Sequence, residues 1–590
     1  MLYALGVSLR GRLRQTGDAA DLDAAISCWR QASQMPSGVA SIRLAAAQAW
    51  AVEAATAHRT HLAAEGFAAA VGLLQEVAWH GLERATREQQ LERWAGLAAE
   101  AATYAILDNN PVAAVEVLEQ GRSVLWAQAL KLRTDLARLS DTHPDLAERL
   151  DSLRKVLDAP APVGSLLASK RAGQGVPAPS RTRHEQGAIE LRRRQAREWD
   201  TALARVRALD GFEHFLDYIP YSDLASQVAA CTVVVLNASR YGCHALLVEP
   251  GSEQPRVVDL PGMNPDTTIS MVSAMLRALE RSSDPFRPLT DQEQDRRAVL
   301  EVLRWLWDVM AEPVLSALGF TSAAEHSSGD SGWPRVWWCP TGPLTLLPIH
   351  AAGRHPGLDA AADRHADRVL DRVISSYIPS LTALGRAREP ASNAPVRQLA
   401  VGMPVTPGLP ALLGVDVELE VVARHFPPGP DNLQLIASGA TRANVLTAIG
   451  GHSWVHLACH ASQQFDNPAS SGFALQDGTL TVADLAALPN QQNDLAFLSA
   501  CETAAGSARH FDEAIHLAAA MQFIGYRNVI ATLWTIADLP APGVADAFYS
   551  ALRKNGAPNA AEALHHAVRQ LYRSDPANPL LWAPYIHLGN

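Results

Sequence analysis

From residue 398 to the C-terminus, short apolar runs alternate with helical stretches. The runs are 398–402 (QLAVG), 433–437 (LQLIA), 453–459 (SWVHLAC), 494–500 (DLAFLSA), 528–534 (NVIATLW) and 584–588 (PYIHL). Helices are expected between them, notably at 441–449, 512–524 and 542–553. A strand that is apolar along its whole length is buried on both faces. Such strands separated by helices predict a mostly parallel sheet covered on both sides. Function in these sheets sits at the carboxyl ends of the strands.

The region before it has a different period. Residues 1–140 read as helix after helix: 3–14, about 21–34 with Asp21 as a possible cap, then 39–58, 62–79, 87–107 and 111–139 behind Asn109-Asn110-Pro111. Helices of this length joined by short turns suggest an α-solenoid of helix pairs, with an ordinary bundle as the alternative. The chain starts abruptly inside a repeat-like helix, whereas a solenoid normally carries a capping unit, so a longer array is one reading. Residues 141–224 read as a helical linker with a flexible Pro/Ala/Gly/Ser-rich insertion at about 158–183. The Arg cluster in the charged helix at 189–208 reads as a solvated face. Strands are expected at 232–236, 245–248 and 256–259, the first two as a hairpin-like pair. Helices at 266–281 and 291–318 and a strand in WPRVWWC follow.

Composition narrows the class. The 590 residues are 48% apolar and 19% charged, enough for a sizeable core. A net charge of −11 argues against broad nucleic-acid binding through a basic surface. No apolar run reaches the roughly 18 residues of a membrane helix, and the N-terminus has no signal-peptide pattern. Six scattered cysteines fit a reducing cytoplasm rather than a disulfide framework. No cofactor is expected, because GxxxxGK[ST] is missing and no GxGxxG follows a strand.

Two strand ends carry the chemistry. One ends in Cys459-His460-Ala461, the next in Ala500-Cys501-Glu502-Thr503. If these strands are parallel neighbours, about 4.8 Å apart, His460 and Cys501 emerge side by side. That suits a thiolate nucleophile beside a histidine base. Acyl transfer also needs oxyanion donors, for which the backbone N–H groups of Cys501 and Ala461 are candidates. No third acidic member is evident, and a backbone carbonyl can orient an imidazole in its place. His456, Cys459 and His460 compete as a metal cluster. In a strand, however, His456 and His460 stand about 13 Å apart, too far to share one zinc.

At these residues the sequence resembles the CHAT family, caspase-like cysteine protease domains often attached to tetratricopeptide repeats. Val455-His-Leu-Ala-Cys-His460 resembles its histidine motif and Leu498-Ser-Ala-Cys-Glu-Thr503 its cysteine motif. The segments 512–521, 525–534, 340–350, 377–384 and 582–585 resemble further motifs in the family's order, and LRQTGDAADLDAAISCWRQA resembles a tetratricopeptide unit. The resemblance covers about 225–590. It implies a caspase-like α/β fold with a degenerate half at 225–390 packed on an active half at 391–590. It also implies Cys501 as nucleophile and His460 as general base, then acid. By analogy it implies a cytoplasmic effector protease in bacterial immunity or signalling, acting on protein substrates. Such a protease is switched on by a regulatory protein or complex docked on the repeats, with no nucleic acid or membrane partner. A catalytically weak scaffold is the alternative. The family places Gly after the histidine where this chain has Ala461, so either the backbone there is ordinary or activity is reduced. Asp512 either pairs with a basic substrate side chain before the cut or caps the helix that begins there.

Overall fold

The computed structural model describes residues 1–590 except 36, 79–86, 88, 89, 92, 123–135, 137, 138, 159–182, 214, 217, 218, 283, 285, 325–332, 359–366, 391–394, 463–469, 487, 489–492, 501–516, 537–539 and 555–558. The described residues form two compact units, Met1–Tyr104 with Glu116–Ile219, and Ala105–Val115 with Pro220–Asn590. The expected insertion at 158–183 falls almost wholly outside the described residues.

The first unit is helical. Helices Leu2–Thr16, Ala19–Gln34, Ala40–Thr56 and Thr60–Gly72 pack each on the next. Small residues set their spacing: Gly6 lies under the Trp29 ring, and Gly66 against the backbone of Ala51. The cap of the second helix is Asp18, not Asp21. The Asp18 side chain accepts the Ala20 N–H at 3.0 Å. Asp21 instead lies within the first turn, buried, where it binds Arg12. The hydrogen bond from Arg12 outweighs the opposing effect of burial and holds the Asp21 carboxyl below its ordinary range. Further on, Pro144–Asp158 packs on Arg183–Arg207 through Leu150, Leu153, Leu157, Ala196 and Trp199. Arg194 and Arg197 of the latter helix face solvent.

The second unit is built on a mixed, mostly parallel sheet. Its strands are β1 (Val233–Ser239), β2 (Gly242–Val248), β3 (Arg256–Asp259), β4 (Arg335–Cys339), β5 (Ile374–Tyr377), β6 (Gln398–Gly402), β7 (Asn432–Ile436), β8 (Trp454–Ala458), β12 (Asn493–Ser499), β13 (Tyr526–Thr532) and β14 (Tyr585–Gly589). Strands β9 (Ala461–Ser462), β10 (Gly472–Leu475) and β11 (Gly478–Thr481) form a small separate sheet. The large sheet runs β3-β2-β1-β4-β5-β14-β13-β12-β8-β6-β7. Only β3–β2, β2–β1 and β14–β13 pair antiparallel among its described strands. The 225–390 and 391–590 segments therefore share one continuous sheet, joined where β5 of the first pairs with β14 of the second. β1 and β2 pair antiparallel around a turn at 240–241, as their sequence suggests.

Helix Leu289–Leu306 does not run straight to 318. A π turn at Trp307–Ala311 precedes helix Glu312–Ala317. Pro313 stands just inside that last helix, where its missing N–H costs little. In the C-terminal part, helix Val415–His425 packs on β6 and β8 and on helix Ala541–Lys554. His425 reaches Asp546 across that helix pair at 2.9 Å.

Candidate functional site at the strand ends

β8 and β12 are parallel neighbours, with Trp454 opposite Leu495, His456 opposite Phe497 and Ala458 opposite Ser499. The chain leaves β8 through Cys459, which is buried, to His460, which is partly exposed. It leaves β12 through Ala500, the last described residue before Cys501. Cys501 and Asp512 both lie outside the described residues.

β6 flanks β8 on its other side. The chain passes from β6 outward to β7 and then returns across to β8. Loops at such a reversal diverge and open a crevice at the carboxyl edge. The loop 403–414 after β6 turns back through Leu412 N–H to Pro404 O at 2.9 Å. It brings the Pro410 carbonyl to 2.8 Å from His460 Nε2. A carbonyl can only accept, so Nε2 carries the proton and Nδ1 is left as the basic nitrogen.

Ala461 opens β9 in extended backbone. It is absent from the positive-φ residues among those described, so alanine meets no conformational penalty here. Ala474 N–H donates to His460 O at 2.8 Å, which makes Ala461–Phe473 a non-hydrogen-bonded pair. The Ala461 N–H consequently faces away from β10.

Thr532, at the end of β13, donates its hydroxyl to Ala500 O at 2.8 Å. From the next layer, Glu418 accepts the Ser499 hydroxyl at 3.0 Å. The two residues that lead to Cys501 are thus tied on two sides. None of Pro410, Thr532 or Glu418 is singled out by sequence reading. A carbonyl has no side-chain signature, and a threonine at a strand end is ordinary. Glu418 did leave a signal: with Val415, Leu419 and Val422 it falls on one helical stripe that is otherwise apolar.

The metal alternative loses its geometry. His456 is fully buried and faces Tyr549 and Glu418, while His460 faces Pro410. Among the described residues no group of three His, Cys, Asp or Glu side chains is placed to hold a metal. Among the described helices none is long and apolar enough to cross a membrane. The other described cysteines are poor nucleophiles where their thiols are shifted. Burial pushes the Cys231 thiol up despite Arg388 nearby, and Cys243 up to about 11.

Residues 300–590 match the sequence model of the CHAT domain. None of the curated proteins compared matches the chain. Among solved structures the chain is similar to the Arg-specific cysteine proteinase gingipain R, at 13% identity and a TM-score of 0.34, over 48% of this chain and 68% of that one. It is also similar to two structures of the Saccharomyces cerevisiae separase–securin complex, at 9% and 8% identity with TM-scores of 0.43 and 0.44. Both alignments cover 100% of this chain and 50% of the matched one, so this chain spans half the length of those relatives.

Proposed function

We propose that this chain, whose residues 300–590 form a CHAT domain, is a cysteine endopeptidase with Cys501 as nucleophile and His460 as its acid–base partner. The observation that carries the reading is the parallel pairing of β8 with β12, together with the Pro410 carbonyl on His460 Nε2. Cys501 follows Ala500 directly, and His460 stands two residues past the rung that pairs Ala458 with Ser499.

In this mechanism His460 Nδ1 takes the Cys501 thiol proton as sulfur adds to the scissile carbonyl carbon. The Ala461 and Cys501 N–H groups hold the oxyanion. The imidazolium keeps its Nε2–H on the Pro410 carbonyl and returns the Nδ1 proton to the leaving amine. Water then attacks the thioester, again giving its proton to Nδ1, and the thiol is restored. Asp512 is proposed to favour a basic residue before the cut. The N-terminal helices are proposed to bind the regulator that switches the protease on, in a defence or signalling role.

The test is covalent labelling by peptidyl acyloxymethyl ketones with Lys, Leu or Asp next to the reactive group. Wild type is expected to label at Cys501, fastest with Lys. Labelling is expected to vanish in Cys501→Ala and to fall at least about a hundredfold in His460→Ala. The preference for Lys should fade in Asp512→Asn. Equal labelling of wild type and Cys501→Ala would leave an inert CHAT scaffold as the reading.

A further inference from the structure

One buried polar cluster lies directly beneath the strand ends and has no role in the steps above. Glu418, on helix Val415–His425, is only 2% exposed. Its Oε2 accepts the Ser499 hydroxyl at 3.0 Å, and its Oε1 lies 3.2 Å from His456 Nε2 without hydrogen-bond alignment. The other nitrogen of His456, Nδ1, is 3.0 Å from the Tyr549 hydroxyl. Around these groups the packing is aromatic. His456 stacks on Phe497 at 4.8 Å, and Phe548 and Tyr549 close the far side.

A carboxylate is a poor filler for such a space. Removing a charge from water costs several kcal/mol, and an apolar side chain of similar volume often stabilises a core more. What the carboxylate does supply is a fixed set of distances. Ser499 is two residues before Cys501, and His456 is four before His460. Glu418 itself stands in the first turn of the helix that follows loop 403–414, with its N–H on Gly414 O at 2.9 Å. One residue therefore hydrogen-bonds the end of β12, lies against the middle of β8 and stands at the foot of the loop that carries Pro410.

We infer that Glu418, acting through Ser499 and His456, is a positioning residue that sets the height of the Cys501 strand against the His460–Pro410 pair. This rests on the protease reading above. Its described side-chain partners, Ser499 and His456, are not themselves reacting groups. Its effect is on the approach of sulfur to imidazole, where a misplacement of about 1 Å costs about a hundredfold in rate.

The experiment measures the maximal labelling rate and the half-saturating concentration of the Lys acyloxymethyl ketone on the full chain, with thermal unfolding alongside. Ser499→Ala and Glu418→Gln are expected to lower the maximal rate about tenfold to a hundredfold at an unchanged half-saturating concentration. Ser499→Thr, which keeps the hydroxyl, should recover most of the rate. Ser499→Ala combined with Glu418→Gln should lose little more than either alone, since the two act as one unit. Wild-type rates in folded Ser499→Ala and Glu418→Gln protein would overturn the positioning role and leave the protease standing. Failure of the wild type to label at Cys501 would remove both. If Glu418→Gln does not fold, Ser499→Ala against Ser499→Thr decides alone, and equal loss in both would count against the inference.

Discussion

A histidine closed off from water holds its ring neutral, and the second unit encloses several. His350, whose Nδ1 meets the Tyr377 hydroxyl at 2.9 Å, is pushed by burial down to about 3. His355, whose Nε2–H donates to Ala351 O at 2.9 Å, is likewise pushed to about 3. Burial also holds His565 and His587 well below their ordinary value of 6.5. In the unfolded chain all four take protons near pH 6.5. Their native pKa is depressed, so the unfolded state binds more protons below that point. The stability they support is complete above about pH 6.5 and drains as pH falls toward 3. One such group gives a slope of about 1.4 kcal/mol per pH unit. The melting temperature is therefore expected to be flat between pH 7 and 8 and to drop steeply between 6.5 and 4.5. His565→Phe should soften that drop. A flat profile to pH 4.5 would show that these rings protonate in place. At the candidate site, Ala461 opens β9 in extended backbone, so the residue that stands where the family places glycine has an ordinary conformation.

At the scale of elements, β8 and β12 were readable because burial on both faces leaves an apolar run, unbroken in Leu495–Leu498 and interrupted only by His456 in Trp454–Ala458. The small sheet was not readable. β9 is two residues long, and β10 and β11 are held by pairing across a turn at 476–477 rather than by any periodicity of their own. The Pro410 contact was equally hidden, since it depends on how loop 403–414 folds back. The helices of the first unit were visible, but their spacing was not, because it is set by single glycines. A Cβ on Gly66 would come within 2.9 Å of Ala51 Cα, whereas a Cβ on Gly11 would meet nothing within 4 Å. Alanine favours helix over glycine by roughly 1 kcal/mol at either position. Gly11→Ala is thus expected to raise the unfolding midpoint. Gly66→Ala should lower it, because forcing the two helices apart costs about 1–3 kcal/mol and outweighs the propensity gain. Chemical denaturation of the two variants in parallel reads the difference, and a stabilised Gly66→Ala would show that the contact can relax.

At the scale of the second unit, the strand order could not be read from the chain, because β14 is last in sequence and central in space. It pairs antiparallel with β13 from Asn528–Gly589 to Thr532–Tyr585, and parallel with β5 at Leu588–Tyr377. Trp337 of β4 also donates its ring N–H to Gly589 O at 2.8 Å, which reaches past β5. The half that does not carry the candidate site is thereby joined to the half that does through the short strand β14 of the latter. Two separate cores would unfold in two steps. A shared sheet ties them into one transition. Gly589 tests the seam with a single methyl group. Its φ is 106°, and a Cβ there would stand 2.0 Å from the Arg527 carbonyl oxygen. Left-handed backbone alone costs a non-glycine residue roughly 1–2 kcal/mol, and the contact with a backbone atom cannot be relieved by a rotamer change. Gly589→Ala is expected to destabilise the unit by about 2 kcal/mol or more. Tryptophan fluorescence and Cys501 labelling should be lost at the same lowered denaturant concentration. Fluorescence change at one midpoint and loss of labelling at another would mean that the halves fold independently and that β14 is an edge to each rather than a seam.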